Sequence, residues 1–161
     1  MTDNWRDREL EYQKDLIGML KYCLMDNEDA VRFCVDVTFI AHVWDDLVDK
    51  DKERTNEEIS NAFKAALIDI PSNPFYLAHI NDLRPLMMNA ILQWQDANKL
   101  EVNGDDHDKH MAYMLRASFI QLFVYCAFLI GGGGWAETIG PEVRRIYRED
   151  LYTYMKEMEN A

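Results

Sequence analysis

Apolar residues recur along most of the chain three and four positions apart, which is the spacing of one helix face. In residues 5–25, Leu10, Leu16, Ile17, Leu20 and Leu24 follow this spacing. The two-residue alternation that is typical of half-buried strands does not occur, and no linker is long enough to divide the chain. The pattern therefore predicts an all-α fold, a single-domain bundle of about six helices over residues 1–161.

Local signals place the ends of these helices. The stretch TNEE at residues 55–58 predicts a capping box that opens the third helix, and Pro141 suits the first turn of the last helix. Four glycines at residues 131–134 predict the end of the fifth helix, because glycine is unfavourable inside a helix. We expect the second, fifth and sixth helices to be the most buried. The predicted helices span residues 5–25, 29–50, 55–69, 75–100, 107–130 and 141–159.

The charge of the chain restricts its partners. The 161 residues carry a formal net charge of −12. An excess of negative charge disfavours direct binding to nucleic acid or to an anionic membrane, because the phosphates repel the protein surface. The same excess favours a basic protein partner, and acidic proteins that mimic nucleic acid have this composition. We therefore expect no direct nucleic-acid binding.

The cysteines and the apolar runs indicate a cytoplasmic protein. Cys23, Cys34 and Cys126 each lie among apolar residues and form no metal-binding motif, which predicts buried free thiols and a reducing compartment. The first ten residues are polar and charged, unlike a signal peptide. The longest apolar run, residues 117–130, has 14 residues, fewer than the roughly 20 that cross a bilayer. We expect this run to form a core helix or the seam of a homodimer, and no membrane span.

A polar stripe runs along the apolar second helix. Thr38, His42, Asp45 and Asp49 stand at positions i, i+4, i+7 and i+11, so they share one face. One interpretation is a solvated acidic helix end. The other is a Mg²⁺ site, because two carboxylates one turn apart repel each other unless a cation lies between them. Apolar residues on both sides of the stripe favour a polar cavity that points inward.

The last predicted helix carries a second set of oxygen ligands. Glu149, Thr153 and Glu157 stand at i, i+4 and i+8. With the stretches FIAHVWDDLVD (39–49) and EDLYTYMKE (149–157), the chain resembles class I terpene synthases, whose metal motifs have the forms DDxxD and (N/D)Dxx(S/T)xxxE. It departs from that family in length, in the Glu149 that replaces Asn or Asp, and in the absence of a following Arg-Tyr pair.

The resemblance implies Mg²⁺ held between two helices and the ionisation of a prenyl diphosphate; if the chain is an enzyme, it is a Mg²⁺-dependent lyase. The implied metal ligands are Asp45, Asp46, Asp49, Glu149, Thr153 and Glu157. The candidate diphosphate-binding cations are Arg116, Arg145, Arg148 and Lys156. The candidate pocket-lining residues are Phe39, His42, Trp44, Phe119 and Phe123.

Two other functions fit the same residues. The first is a small acidic helical protein without enzymatic activity that binds a basic protein partner, as a viral or regulatory factor or a nucleic-acid mimic. The second is a helical nucleotide pyrophosphatase, which also holds Mg²⁺ with acids on facing helices. The sequence leaves all three alternatives open.

Overall fold

A computed structural model describes residues 4–146 and 150–160. The all-α prediction is confirmed, since 88% of the structure is helical and no described residue lies in a strand. The chain divides into two compact units, residues 1–81 and residues 82–161. The division lies in the first turn of the helix Ile80–Glu101, so no linker marks it in the sequence. A single domain over the whole chain stays a prediction.

The first unit packs three main helices around an aliphatic and aromatic core. Its elements are α1 (Trp5–Cys23), α2 (Glu28–Asp49), α3 (Asn56–Lys64), a π-helical turn (Ala65–Asp69), and the short helices α4 (Ile70–Ser72) and α5 (Pro74–Ala78). The core includes Leu16, Leu20, Phe33 and Cys34, each at most 1% exposed. The apolar face predicted for α1 is therefore buried at Leu16 and Leu20, whereas Leu10, which belongs to the same predicted face, is 57% exposed.

The predicted capping box is confirmed at the start of α3. The Thr55 hydroxyl accepts from the Glu58 amide at 3.1 Å, and the Glu58 carboxylate accepts from the Thr55 amide at 2.7 Å. These bonds satisfy two amides that a helix start otherwise leaves unpaired. The position of α3 relative to the preceding loop is thus fixed by local sequence.

In its described residues, 82–146 and 150–160, the second unit has two long helical elements, the second of them kinked at Gly132, and two shorter helices. Its elements are α6 (Ile80–Glu101), α7 (Asp106–Arg116), a 3-10 turn (Ala117–Phe119), α8 (Ile120–Arg145) and α9 (Leu151–Asn160). Leu83, Leu122, Phe123 and Cys126 are buried in its core. Pro85 lies inside α6 without ending it.

The prediction that the four glycines end the fifth helix is confirmed, because α8 consists of two helices that meet at a kink in this stretch. The break lies at Gly132, whose φ of 79° and ψ of 179° are not helical, and a second helix follows it as far as Arg145. Pro141 consequently lies inside α8 and not in the first turn of a new helix. A β-carbon at Gly131 would lie 2.5 Å from Trp135 Cδ1, so the tight kink also requires a glycine there. Two glycines permit the kink, and helical geometry continues on both sides.

The expected order of burial holds for the second and fifth predicted helices and is wrong for the last. Among the described residues of α9, Tyr154 alone is buried, while Thr153, Lys156 and Glu157 are exposed. α9 is amphipathic: Tyr154 lies on its covered side with Met155 and Met158 half-buried, while Tyr152 and the charged residues of the helix are exposed.

All three cysteines are buried and free, as their apolar surroundings predict. One helical stretch, Asp106–Arg145, is by length and composition apolar enough to cross a membrane, and 33% of its most apolar window is buried. It is longer than the run of 14 apolar residues because it extends from α7 across the kink at Gly132 to the end of α8. A core helix can have the same length and composition, so these two properties do not identify a membrane span.

Candidate functional site

A buried arginine lies at the centre of the first unit. Lys50 ends α2 with a left-handed backbone, at φ 59°, and the capping box starts α3 at Thr55. Arg54, one residue before that cap, is only 8% exposed. A buried guanidinium requires paired charges, and carboxylates from α1 and α2 supply them.

The guanidinium of Arg54 binds two buried carboxylates. Its Nη2 and Nη1 donate to the two oxygens of Glu9 at 2.7 and 3.0 Å, and its Nε donates to Asp46 Oδ2 at 2.6 Å. Glu9 is 7% exposed and Asp46 is 3% exposed. The bidentate geometry on Glu9 is the strongest that an arginine and a carboxylate can form.

Partly exposed groups surround this centre. Lys52 Nζ lies 3.5 Å from Asp46 Oδ1, and His42 Nδ1 lies 3.7 Å from Glu9 Oε1. Arg6 pairs with Glu58 at 2.8 Å. The Arg54 guanidinium also lies 5.1 Å from the centre of the Trp5 ring, within cation–π range. Together these contacts join α1, α2 and α3.

The pKa values of the two carboxylates shift in opposite directions, down for Glu9 and up for Asp46. Burial favours the neutral form of Glu9, but the neighbouring His42 and the hydrogen bonds and charge of Arg54 outweigh it and lower the pKa of Glu9 to about 2. Burial raises the pKa of Asp46, and the hydrogen bond and charge of Arg54 with the charge of Lys52 offset only part of this rise. Burial disfavours the charged form of Arg54, yet its bonds to Glu9 and Asp46 raise its pKa further. The network is therefore anchored mainly by the ionised Glu9–Arg54 pair.

The predicted metal ligands on α2 have different environments. Asp46 binds Arg54 and Lys52, Asp45 is half-buried, and Asp49 is exposed as the last residue of the helix. The polar stripe begins in the core, where the Thr38 hydroxyl donates to the Cys34 carbonyl at 2.9 Å. It therefore runs from the interior to solvent.

The second predicted ligand set lies at and before α9. Thr153 and Glu157 are exposed on this helix, and Asp150 Oδ1 accepts from the Thr153 amide at 2.8 Å. This bond and one from the Tyr152 amide lower the pKa of Asp150. Glu149 and Arg148 lie outside the described residues. In the part of the chain that the structure describes, no three His, Cys, Asp or Glu side chains are grouped to hold a metal ion.

Arg116, a predicted diphosphate-binding cation, binds a carboxylate of its own unit. Its Nε donates to Glu101 Oε1 at 2.5 Å, and its Nη2 donates to Asn98 at 2.7 Å and to Glu101 Oε2. The Tyr154 hydroxyl donates to the same Glu101 at 2.5 Å. Burial, together with that carboxylate, strongly raises the pKa of Tyr154. This cluster anchors α9 to the ends of α6 and α7.

The remaining predicted residues fall into two groups, one in each unit. Arg145 is exposed at the end of α8, and Lys156 is exposed with its Nζ 4.5 Å from the centre of the Tyr152 ring. Phe119 and Phe123 pack edge to face, with ring centroids 5.9 Å apart. In the first unit, Phe39 and His42 are half-buried and Trp44 is 41% exposed.

The sequence interpretation missed Glu9 and Arg54. Residues 50–55 look like scattered surface charges, and nothing local marks Arg54 as buried. The one signal for the burial of Arg54 is its position directly before a capping box. It therefore lies in the short loop between the end of α2 and the start of α3. Glu9 has no such signal, because its partner is 45 residues away.

A groove in the first unit was also missed. It has a volume of about 340 Å³ and is lined by Arg32, Asp36, Asp69, Ser72, Asn73 and Pro74. Burial and the charge of Asp69 raise the pKa of Asp36, which Arg32 and Lys64 partly oppose. Asp69 reaches the groove through the π-helical turn Ala65–Asp69, a feature that residue spacing does not reveal.

One face of α2 changes from buried to exposed along the helix. Ala30 and Phe33 are 0% exposed and Val37 is 8% exposed. Leu47 and Val48, which continue the same side of the helix, are 41% and 49% exposed. The C-terminal half of α2 thus presents apolar side chains to solvent beside Asp49 and Asp51.

No protein-family model, no curated protein and no solved structure matches this chain.

Proposed function

We propose that this chain is an acidic helical protein without enzymatic activity that binds a basic protein partner. The observation that carries the proposal is the exposed apolar end of α2 within a strongly acidic unit. Leu47 and Val48 are 41% and 49% exposed, and residues 1–81 contain 17 acidic and nine basic residues, a net charge of −8. Residues 82–161 contain 12 acidic and eight basic residues, a net charge of −4.

The placement of two predicted site residues supports binding over catalysis. Asp46 pairs with the buried Arg54, and Arg116 pairs with Glu101, both of these half-buried. Breaking a buried ion pair by removing one partner costs about 3–5 kcal/mol. Asp46 therefore contributes to stability, and withdrawing it to bind a ligand would carry that cost, while Arg116 would have to leave Glu101.

A pair of probe peptides tests the proposal. One is a labelled amphipathic helix of leucine and lysine, and the other has glutamate at each lysine position. Fluorescence anisotropy with the full chain should give at least about tenfold tighter binding to the basic probe, a difference of about 1.4 kcal/mol. Added salt should weaken that binding because exposed charges are screened. Equal affinity for the two probes, or no binding to either, would overturn the proposal.

The second candidate function is Mg²⁺-dependent diphosphate binding. What supports it is the resemblance of the two motifs and the helical position of four of their residues. Asp45 and Asp49 lie one turn apart on α2, and Thr153 and Glu157 lie one turn apart on α9. Oxygen ligands at this spacing are suited to Mg²⁺ and to the phosphates that it carries.

Thermal unfolding with Mg²⁺ and inorganic pyrophosphate separates the two candidates. A ligand that binds the folded state raises the melting temperature by mass action. Diphosphate binding requires a rise that Asp49→Asn and Glu157→Gln each abolish, while Glu11→Gln, an exposed acid on α1, keeps it. Our proposal predicts the same melting temperature with and without these ligands.

A further inference from the structure

The exposed end of α2 continues a face that is core elsewhere in the same helix. Phe33 and Val37 point into the first unit, and Trp44 and Val48 follow seven and eleven residues after Val37. These spacings repeat the helix period, so all four side chains lie on one side. Exposure rises from 0% at Phe33 to 49% at Val48. The apolar face is therefore longer than the part that the unit covers.

The charges at this end of the helix are mostly negative. Residues 44–51 contain four aspartates and one lysine. Asp46 is buried against Arg54, while Asp49 and Asp51 are exposed beside the apolar side chains. An apolar strip with an acidic border complements a partner that has an apolar strip with a basic border.

We infer that Trp44, Leu47 and Val48 form the docking site for a basic amphipathic helix. This inference rests on the proposed function and specifies that the basic partner binds as an amphipathic helix. Residues 44–48 extend over about 6 Å at 1.5 Å per residue, which matches roughly one turn of a partner helix. The partner places apolar residues three and four positions apart on this strip, and its lysines and arginines lie near Asp49 and Asp51.

A double substitution separates the apolar contact from the charge. Leu47→Glu with Val48→Glu removes the apolar strip and adds two negative charges. Charge attraction alone would then strengthen binding of the basic leucine–lysine probe, whereas docking on the strip predicts at least tenfold weaker binding. Leu47→Ala with Val48→Ala removes the side chains without adding charge, and it should also weaken binding.

The matched control is Leu77→Glu, since Leu77 is 51% exposed in the same unit and lies on a different helix. This variant should bind the probe as the unaltered chain does. If the unaltered chain prefers the basic probe and both double variants bind it equally well, the docking site is wrong while the proposed function stands. If the unaltered chain has no preference, the proposed function itself fails.

Sedimentation of the unaltered chain and of Leu47→Glu with Val48→Glu identifies the occupant. The inference predicts that both sediment alike, because the strip binds a basic helix and not a second copy. An unaltered chain that dimerises and a double variant that is monomeric would overturn the inference, since the strip would then be a homodimer seam.

Discussion

At the scale of single residues, Arg54 determines which acidic side chains of the first unit are buried in ion pairs. Its guanidinium binds Glu9 from α1 and Asp46 from α2, and all three side chains are buried. The sequence could predict that Asp45, Asp46 and Asp49 cluster at the end of a helix. It could not predict which of them faces inward, because that depends on an arginine in the following loop.

Glu9→Gln should make the first unit less stable at neutral pH, and the loss should depend on pH. The pKa of Glu9 is about 2 in the folded state, against an ordinary value of 4.5. Because the pKa of Glu9 is lower in the folded than in the unfolded state, its ionised carboxylate stabilises the fold at pH values above 4.5. This contribution is lost as the pH falls from 4.5 toward 2. The shift corresponds to about 3 kcal/mol at pH 7.

Urea unfolding of both chains at several pH values measures this effect. The difference in unfolding free energy should be largest above pH 4.5 and should shrink toward pH 2. The control is Glu11→Gln, an exposed acid two residues away, which should change stability little at any pH. A difference for Glu9→Gln that stays constant across the range would show that the side chain does not act through its charge.

At the scale of elements, helix existence follows from the hydrophobic pattern, and helix continuity does not. Residues 5–25 and 29–50 form helices almost as predicted, because long amphipathic periods are strong signals. The stretch 131–134 ends a helix as expected, at Gly132 with its positive φ, but the next helix follows at once and does not start near Pro141. The π-helical turn at Ala65–Asp69 could not be predicted either. Its extra residue rotates the following side chains around the helix axis and leaves no mark in the composition.

Gly132 and its neighbour should respond to alanine in opposite directions. Gly132 has φ 79° and ψ 179°, a conformation that is strained for a residue with a β-carbon, so Gly132→Ala should destabilise the second unit by about 1–3 kcal/mol. Gly133 has open space where its β-carbon would lie, so Gly133→Ala should stabilise the helix by about 0.5–1 kcal/mol. Thermal or urea unfolding compares the two variants, and destabilisation of equal size in both would contradict the kink as the cause.

At the scale of the whole molecule, composition predicted the acidic character and the pattern predicted the helices. The division into residues 1–81 and 82–161 was not predicted, because it falls inside the continuous helical pattern of α6. The two metal motifs lie in different units, and spacing along the chain carries no information about the distance between them in space. The candidate site on α2 could not be predicted from the sequence either. Its helix face is apolar throughout, and only the packing of the folded chain distinguishes the covered half from the exposed half.

The direction of synthesis gives the Arg54 network a further consequence. Glu9 and Asp46 both precede Arg54 in the chain, and Glu58 follows it by four residues. A ribosome therefore releases the acids that neutralise this arginine before the arginine itself. Every acid of these ion pairs lies within residues 1–81, so the pairs involve no residue of 82–161.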